Sequence, residues 1–528
     1  MHLLSSALHK FRSKLRNMFS YNQDACVELV DALSCNGNAS SVTELSLSME
    51  RSYSSISHCI SDYYKPRGAA PDDYKNEKII VDKNIENILC QQIGNIDSNF
   101  HVFATDVTPY KRSYSKKLEG KSYIYDSSNG KVGVPISIGH KYSAVGYITN
   151  DKHWALPVSV KELSIDEKES SFGVRQWLNV VNDSKNRFQD KPSVGLFDAA
   201  YSNAYGIDAF IKNKEVISIF ISRLRSTRIL MRPYKNTNGE IDQSGRNFFD
   251  LENPFSLSEE ETWGAPSERK TVSWLTKRGK SRKVEIQLWD DLRMRGHNDC
   301  PVQKAKLTVI KIYVTDDKDK KVYKNPLWLV AAGDVELISP LELYWSFYKS
   351  RFDMEHFFRF GKQRLLLDAF QTPDQLSENN WMLFPVIAYH QLYHARVVAE
   401  EVYRQWDKKR QFNNDESLSP AMTQRDMGRV INSMPRITLE NKARGISSGR
   451  NEGQTLLNRE DSPVNKKTPK NKVNKASIVI IPPSGNNIKN SKPQIKYNGV
   501  DKSDLSPELS IHLNKIMEIN QFRQSQGP

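Results

Sequence analysis

The stretch Leu341–Leu367, LELYWSFYKSRFDMEHFFRFGKQRLLL, restricts the fold more than any other part of the chain. Ser339-Pro340-Leu341-Glu342 ahead of it is an S-x-x-E capping box with a proline at the first helical position, which predicts a helix opening at Pro340. At about 100° per residue, Tyr348, Arg351, Glu355 and Lys362 fall within roughly 60° of one another on that helix. One carboxylate therefore lies between two cations and a phenol along a single face. Phe347, Phe352, Met354, Phe357, Phe358 and Phe360 supply apolar surface around much of the remainder. A solvated face of charge pairs three or four residues apart would explain the charges but not the aromatics. The pattern calls for a helix buried in a core of enzyme size, with one polar face.

The chain has 528 residues, room for two to four domains. Lys and Arg number 76 against 62 acids, a formal charge of +14, which favours a polyanionic partner, nucleic acid before membrane. Cys26, Cys35, Cys59, Cys90 and Cys300 are scattered without a C-x-x-C pair, so neither a disulfide framework nor a zinc knuckle is expected. His297 and Cys300 are half a metal site with no second pair. No apolar run approaches a membrane span, and the basic, amphipathic start lacks a secretory core. The expectation is a soluble protein of the reducing cytoplasm.

Residues 1–95 read as a small helical domain: Leu8, Phe11, Leu15 and Met18 recur at helical spacing, and Ser41-Val42-Thr43-Glu44 is a second capping box. Its two roles, packing on the next domain and recognition of DNA ends, stay open. Residues 96–228 alternate as strands: Asn99–Asp106, Lys121–Tyr125, Val134–Thr149 and His153–Val160 fit an antiparallel meander with turns at Asn129-Gly130 and Asn150-Asp151. An amphipathic helix around Trp177 follows, then the strand Ser193–Asp198, a helix, and the strand Val216–Leu224. Residues 229–325 are too long and too strand-like for a loop and are expected to form an inserted β-subdomain. Within it Thr271–Trp289 reads as a hairpin whose tip carries Lys277, Arg278, Lys280, Arg282 and Lys283, expected to contact DNA phosphates. Trp263, Trp274 and Trp289 are either core residues or platforms for an extruded base. Residues 326–406 return to the core with Leu327–Ala332 and the long helix, which Thr372-Pro373 is expected to break before Trp381–Arg404 resumes. Residues 407–528 turn polar and lysine-rich, with disorder expected at 461–500 and, from about Arg450, at most a non-specific DNA tether. The fold class is α/β. Strands in a row, then strand–helix–strand, then a long acid-bearing helix is the layout of a ribonuclease-H-like core.

Asp106 and Asp198 each close an apolar strand, and Glu355 sits on the long helix. If the sheet brings both strands together, three carboxylates converge, and two Mg²⁺ ions would relieve their repulsion. An aspartate at a strand end is more often a turn or cap residue, and by spacing alone Asp126, Asp208 and Asp353 are further candidates.

The order Tyr348, two residues, Arg351, three, Glu355, six, Lys362 resembles the YREK signature of bacterial insertion-sequence transposases of the DDE type. FATDVTPY and GLFDAAY look like that family's first and second Asp strands, and ISRLRSTRIL like the strand that follows. FRSKLRNMFSYNQDACVELVDAL, SVTELSLSMERS, LSPAMTQRDMGRVINSM and KARGISSGR look like the branch related to insertion-sequence families four and seven-oh-one. The resemblance implies an enzyme with Asp106, Asp198 and Glu355 as catalytic metal ligands for two Mg²⁺, with Mn²⁺ able to substitute. Tyr348, Arg351 and Lys362 would bind DNA phosphates. It implies partners too: the terminal inverted repeats of the element, target DNA, and a second copy of the chain, in a bacterial cytoplasm and on the nucleoid when bound. The rival readings are a ribonuclease-H-like nuclease that cuts without joining, and a domesticated DNA-binding protein without catalysis.

Overall fold

In the computed structural model, which describes residues 2–497 apart from 50, 94–97, 126–135, 152–153, 236–248, 277–278, 403–416, 440–458, 467–477 and 482–493, the first six strands belong to one mixed sheet. They are β1 (His101–Lys111), β2 (Ser122–Tyr125), β3 (Ile136–Ile148), β4 (Ala155–Glu162), β5 (Ser193–Phe197) and β6 (Ser218–Arg223). β1, β3 and β4 form the expected antiparallel run, with β2 sharing the β4 side of β3. β5 and β6 add to the other side of β1, all three parallel. All five residues of β5 are buried, as a parallel strand covered on both faces requires. The turn expected at Asn129-Gly130 lies outside the described residues.

Helices cover both faces of this sheet. α6 (Glu169–Asn182) and α7 (Ala204–Asn213) lie on one, with Trp177 against Phe197 and Phe210. The Leu341–Leu367 stretch lies on the other, but as two helices, α8 (Leu343–Ser350) and α9 (Phe352–Arg364), which meet at Arg351. The capping box at Ser339 is not made: Glu342 is the residue before α8, and its carboxylate pairs with Lys270 at 2.7 Å. α9 also ends before Thr372-Pro373, because Leu366 turns left-handed and the Leu367 N–H returns to the Gly361 carbonyl at 3.0 Å. α10 (Gln375–Trp381) and α11 (Leu383–Glu401) follow.

The strands of residues 229–325 fall in two groups. β7 (Ile229–Pro233) and β8 (Phe249–Ser256) form a two-stranded ladder that the Met231–Arg293 bridge ties to the chain after β10, whereas β9 (Glu268–Leu275), β10 (Ser281–Leu292) and β11 (Leu307–Thr315) continue the main sheet. The link is β12 (Leu327–Gly333), antiparallel to both β6 and β11. The apolar alternation of Val284, Ile286 and Leu288 and the continuous apolar run Leu327–Ala332 are both buried in that continuous sheet.

The regular elements described before residue 94 are chiefly helices, as expected: α1 (His2–Met18), α2 (Gln23–Ser34), α3 (Val42–Leu47), α4 (Tyr53–Asp62) and α5 (Lys75–Gln91). The Ser41 hydroxyl caps α3, accepting from the Glu44 N–H at 3.1 Å. α1 and α2 pack on α11, so their apolar stripe shares one core with the sheet and the helices that cover it. The polar tail starts later than residue 407, since α12 (Pro420–Asn432) also packs on α11 through buried Met427 and Val430. Arg459–Lys466 then lies along β2, with N–H bonds from Ser462 to the Lys116 carbonyl and from Asn465 to that of Lys121. These residues belong to a compact unit of residues 1–466; in the second unit, 467–528, the described elements are an antiparallel pair, β13 (Ile478–Ile481) with β14 (Gln494–Tyr497). No helix among the described residues is long and apolar enough to cross a membrane.

Candidate active site

β1 does not end at Asp106 but runs on to Lys111 beside β3. Its pairing with β5 stops earlier, at Ala104 opposite Leu196. Two residues on, in the same register, stand Asp106 on β1 and Asp198 just beyond β5. Neighbouring strands are about 4.8 Å apart, so the two aspartates share one short stretch of sheet edge. Side chains alternate across a sheet: Thr105 faces Gly173 of α6, which leaves Asp106 on the α9 side. There Gly146 of β3 gives α9 its seat, since a Cβ at that position would lie 2.6 Å from the Met354 sulfur.

Arg351, at the junction of α8 and α9, joins the acids. Its Nη1 lies 3.4 Å from Asp106 Oδ2 and its Nη2 2.8 Å from Glu355 Oε1. The guanidinium is nearly buried and stacks near the ring of buried Tyr348, 5.7 Å from its centroid, while Nε has no partner. Burial pushes the Asp106 carboxyl up to about 6; Arg351 and the Val107 N–H oppose this, and Asp198 and Glu355 add to it by repulsion. Asp198 and Glu355 therefore each lie within electrostatic reach of Asp106. Asp198 Oδ1 accepts from the Ala200 N–H at 2.9 Å, and its carbonyl accepts from the Ser222 hydroxyl at 2.6 Å, which fixes the turn after β5. Lys362, two turns beyond Glu355, donates to the Pro109 carbonyl at 2.7 Å and pairs with Asp368 at 3.5 Å.

Asp106, Asp198 and Glu355 have the chemistry for a hard divalent cation: oxygen donors, one of them penalised by burial when ionised. Among the described residues no three such groups meet at ligand distance, because Glu355 is drawn onto Arg351. A guanidinium thus supplies the positive charge between Asp106 and Glu355.

The other predicted residues fall in two places. Lys277 and Arg278 lie outside the described residues. Lys280, Arg282 and Lys283 stand at the start of β10, and Lys283 pairs with Asp319 at 2.8 Å. Since β6, β12, β11 and β10 are successively antiparallel, this hairpin tip lies on the same sheet edge as Asp106 and Asp198. The tryptophans pack: Trp289 is buried against Trp328 and Phe255, Trp263 meets Trp328 edge-to-face, and Trp274 meets Trp345 of α8 at 5.6 Å. His297 and Cys300 bridge through their backbones, with His297 against Tyr205.

Two features went unread in the sequence. Glu378 of α10 is fully buried between Arg112 at 2.9 Å, His140 at 2.6 Å and Tyr142 at 3.1 Å, a network no spacing signals. Arg223 ends the strand next to Asp198, and Arg225 and Arg228 lie in the turn that follows it; three arginines in six residues are the signal in the sequence. Compared with protein-family models and with curated proteins, the chain finds no match in either.

Proposed function

We propose that this chain is a DDE-type DNA transposase, built on a ribonuclease-H-like core, that binds the ends of its element, cuts them and joins the 3′ ends to target DNA. The observation that carries the reading is the shared register of Asp106 and Asp198, with Glu355 tied to the first through Arg351. Three antiparallel strands, two parallel ones and an acid-bearing helix on one face supply the layout that such a core needs. Asp106, Asp198 and Glu355 would hold two Mg²⁺, which when bound stabilise the attacking and leaving oxygens of an in-line phosphoryl displacement. Arg351 keeps the acids neutralised until DNA arrives, and its planar fork, with Lys362 as a point charge, then orients phosphates beside the scissile bond. Work on two ends calls for at least two copies of the chain.

The test is Glu355→Gln, assayed for binding and nicking side by side on a duplex carrying an element end, in Mg²⁺ and in Mn²⁺. The change removes a charge but little volume, so binding is retained while cleavage and joining are lost. Wild-type-like nicking by Glu355→Gln sinks the assignment. A pre-cleaved end that the wild type nicks around but never joins to target would favour a nuclease instead.

A further inference from the structure

We propose that the turn Arg225-Ser226-Thr227-Arg228 is a second phosphate-binding site, on the opposite flank of the acids from α9, which grips the backbone of the same DNA strand. The inference rests on the DNA-processing reading above and adds to it where the strand runs.

The turn is placed by the sheet. The last pair of β5 with β6 is Phe197 with Ser222, so Asp198 and Arg223 stand next in register and the turn begins two residues later. It is held on both sides: the Leu224 N–H bonds the Trp328 carbonyl at 2.8 Å, and the Leu257 N–H bonds that of Arg228 at 3.1 Å. Inside it the Arg228 N–H closes on the Arg225 carbonyl at 2.9 Å. Arg228 reaches back to the Asp198 turn, donating from Nη2 to the Ser202 carbonyl at 3.2 Å.

Its charges are uncompensated. Arg225, Ser226 and Thr227 are exposed and Arg228 is half-buried. Neither arginine has a carboxylate partner among the described residues, whereas Arg351 pairs with both Asp106 and Glu355. Burial and the neighbouring Arg225 both act against the charge of Arg228, so two guanidiniums are held close enough to repel. A fixed turn presenting two cationic forks and two hydroxyls, with no acid between them, is complementary to a phosphodiester.

The position completes a track. α9 packs over β1, β3 and β4, so Arg351 and Lys362 flank the acids on that side. β6 lies on the other side, and beyond it β10 brings Lys280 and Arg282 to the same edge. From β1 to β6 is two strand spacings, about 10 Å. A DNA strand advances that far in about three nucleotides at about 3.4 Å each. The turn therefore meets a phosphate roughly three nucleotides from the one at the acids, and fills the gap between the catalytic edge and the basic hairpin.

The experiment measures the affinity of the full chain for a 30-base-pair duplex of arbitrary sequence across a salt series, in EDTA. Arg225→Gln with Arg228→Gln should lower the slope of log affinity against log salt by about 0.9 per lost phosphate contact, about 1.8 for both. Arg225→Gln alone, at an exposed side chain without contacts, should give half of that and cannot act by unfolding. Lys185→Gln with Lys212→Gln, the first on the loop before β5 and the second in the last turn of α7, at the other end of the same strands, should leave the slope unchanged. An unaltered slope in the arginine variants, with normal wild-type binding, overturns this site and leaves the proposed function standing. An equal fall in the lysine control overturns it as well, since net charge alone would then explain the effect. A wild type that does not bind DNA overturns both.

Discussion

Asp106→Asn should make the protein more stable at alkaline pH while removing its activity. In the unfolded chain the carboxyl ionises near 3.8, in the folded one at about 6. The folded state therefore holds the extra proton between those values and loses stability as pH rises through them. Two pH units at about 1.4 kcal/mol each give about 3 kcal/mol. With 24% of the side chain still exposed, solvent relieves part of this, and about 2 kcal/mol is the better figure. Asparagine carries no such penalty, and Arg351 keeps its bond to Glu355. In urea unfolding with EDTA present, Asp106→Asn should exceed wild type by about 2 kcal/mol at pH 8 and by less than about 1 kcal/mol at pH 4, where aspartate is protonated in the fold. Other titrating groups are common to both proteins and cancel in the difference. Mg²⁺ should raise the wild-type midpoint and leave the variant's where it was, because ligand binding to the native state adds stability. Equal midpoints at pH 8, or a less stable variant there, would refute the electrostatic account of the site.

The remaining expectations concern the scaffold. Glu378→Gln strands Arg112 and His140 in the core and should cost about 3–5 kcal/mol in urea unfolding; an unchanged midpoint would show the network to be dispensable. Gly146→Ala forces Met354 aside and should cost about 1–3 kcal/mol, part of it recovered when Met354→Ala is added to the same chain; a strictly additive loss would argue against that contact. His390 is fully buried, its Nε2 at 2.8 Å from the Pro157 carbonyl and its Nδ1 without a partner. Burial holds its pKa down to about 4 against an ordinary 6.5. The unfolded chain thus binds the proton first, and stability falls as pH drops from 6.5 through 4, by up to about 3 kcal/mol. His390→Gln should flatten that part of the wild-type pH–stability curve, and an equally steep curve in the variant would dismiss the residue as the cause.

What the sequence made legible was local. Strand alternation located β1, β3, β5 and β6, and helical spacing found the buried face of α1 and the polar face around Arg351. Ser41 capped α3 because nothing competed for its hydroxyl. The same motif at Ser339 failed because Lys270, some seventy positions away in sequence, takes the Glu342 carboxylate. The break at Arg351 was invisible for a similar reason: a guanidinium drawn towards Asp106 by geometry that only the sheet creates. Residues 229–325 read as an inserted β-subdomain, but the continuity of β9–β11 with the main sheet was not legible, because alternation says which face is buried and not which strand lies alongside. Arg112, His140 and Glu378 meet from three distant segments, and no spacing encodes such a meeting.

The pairing of β6 with β12 also bears on how such a chain is assembled over generations. Arg223, where the core is left, sits directly opposite Leu329, where it is re-entered. With everything between them cut out, β6 and β12 are the two arms of a hairpin that a turn of about two to five residues would close. A segment whose two ends are already neighbours imposes little closure entropy on its host, whatever its length. Changes in the length or reach of the inserted strands can therefore accumulate while the register that aligns Asp106 with Asp198, set on the far side of β6, stays as it is.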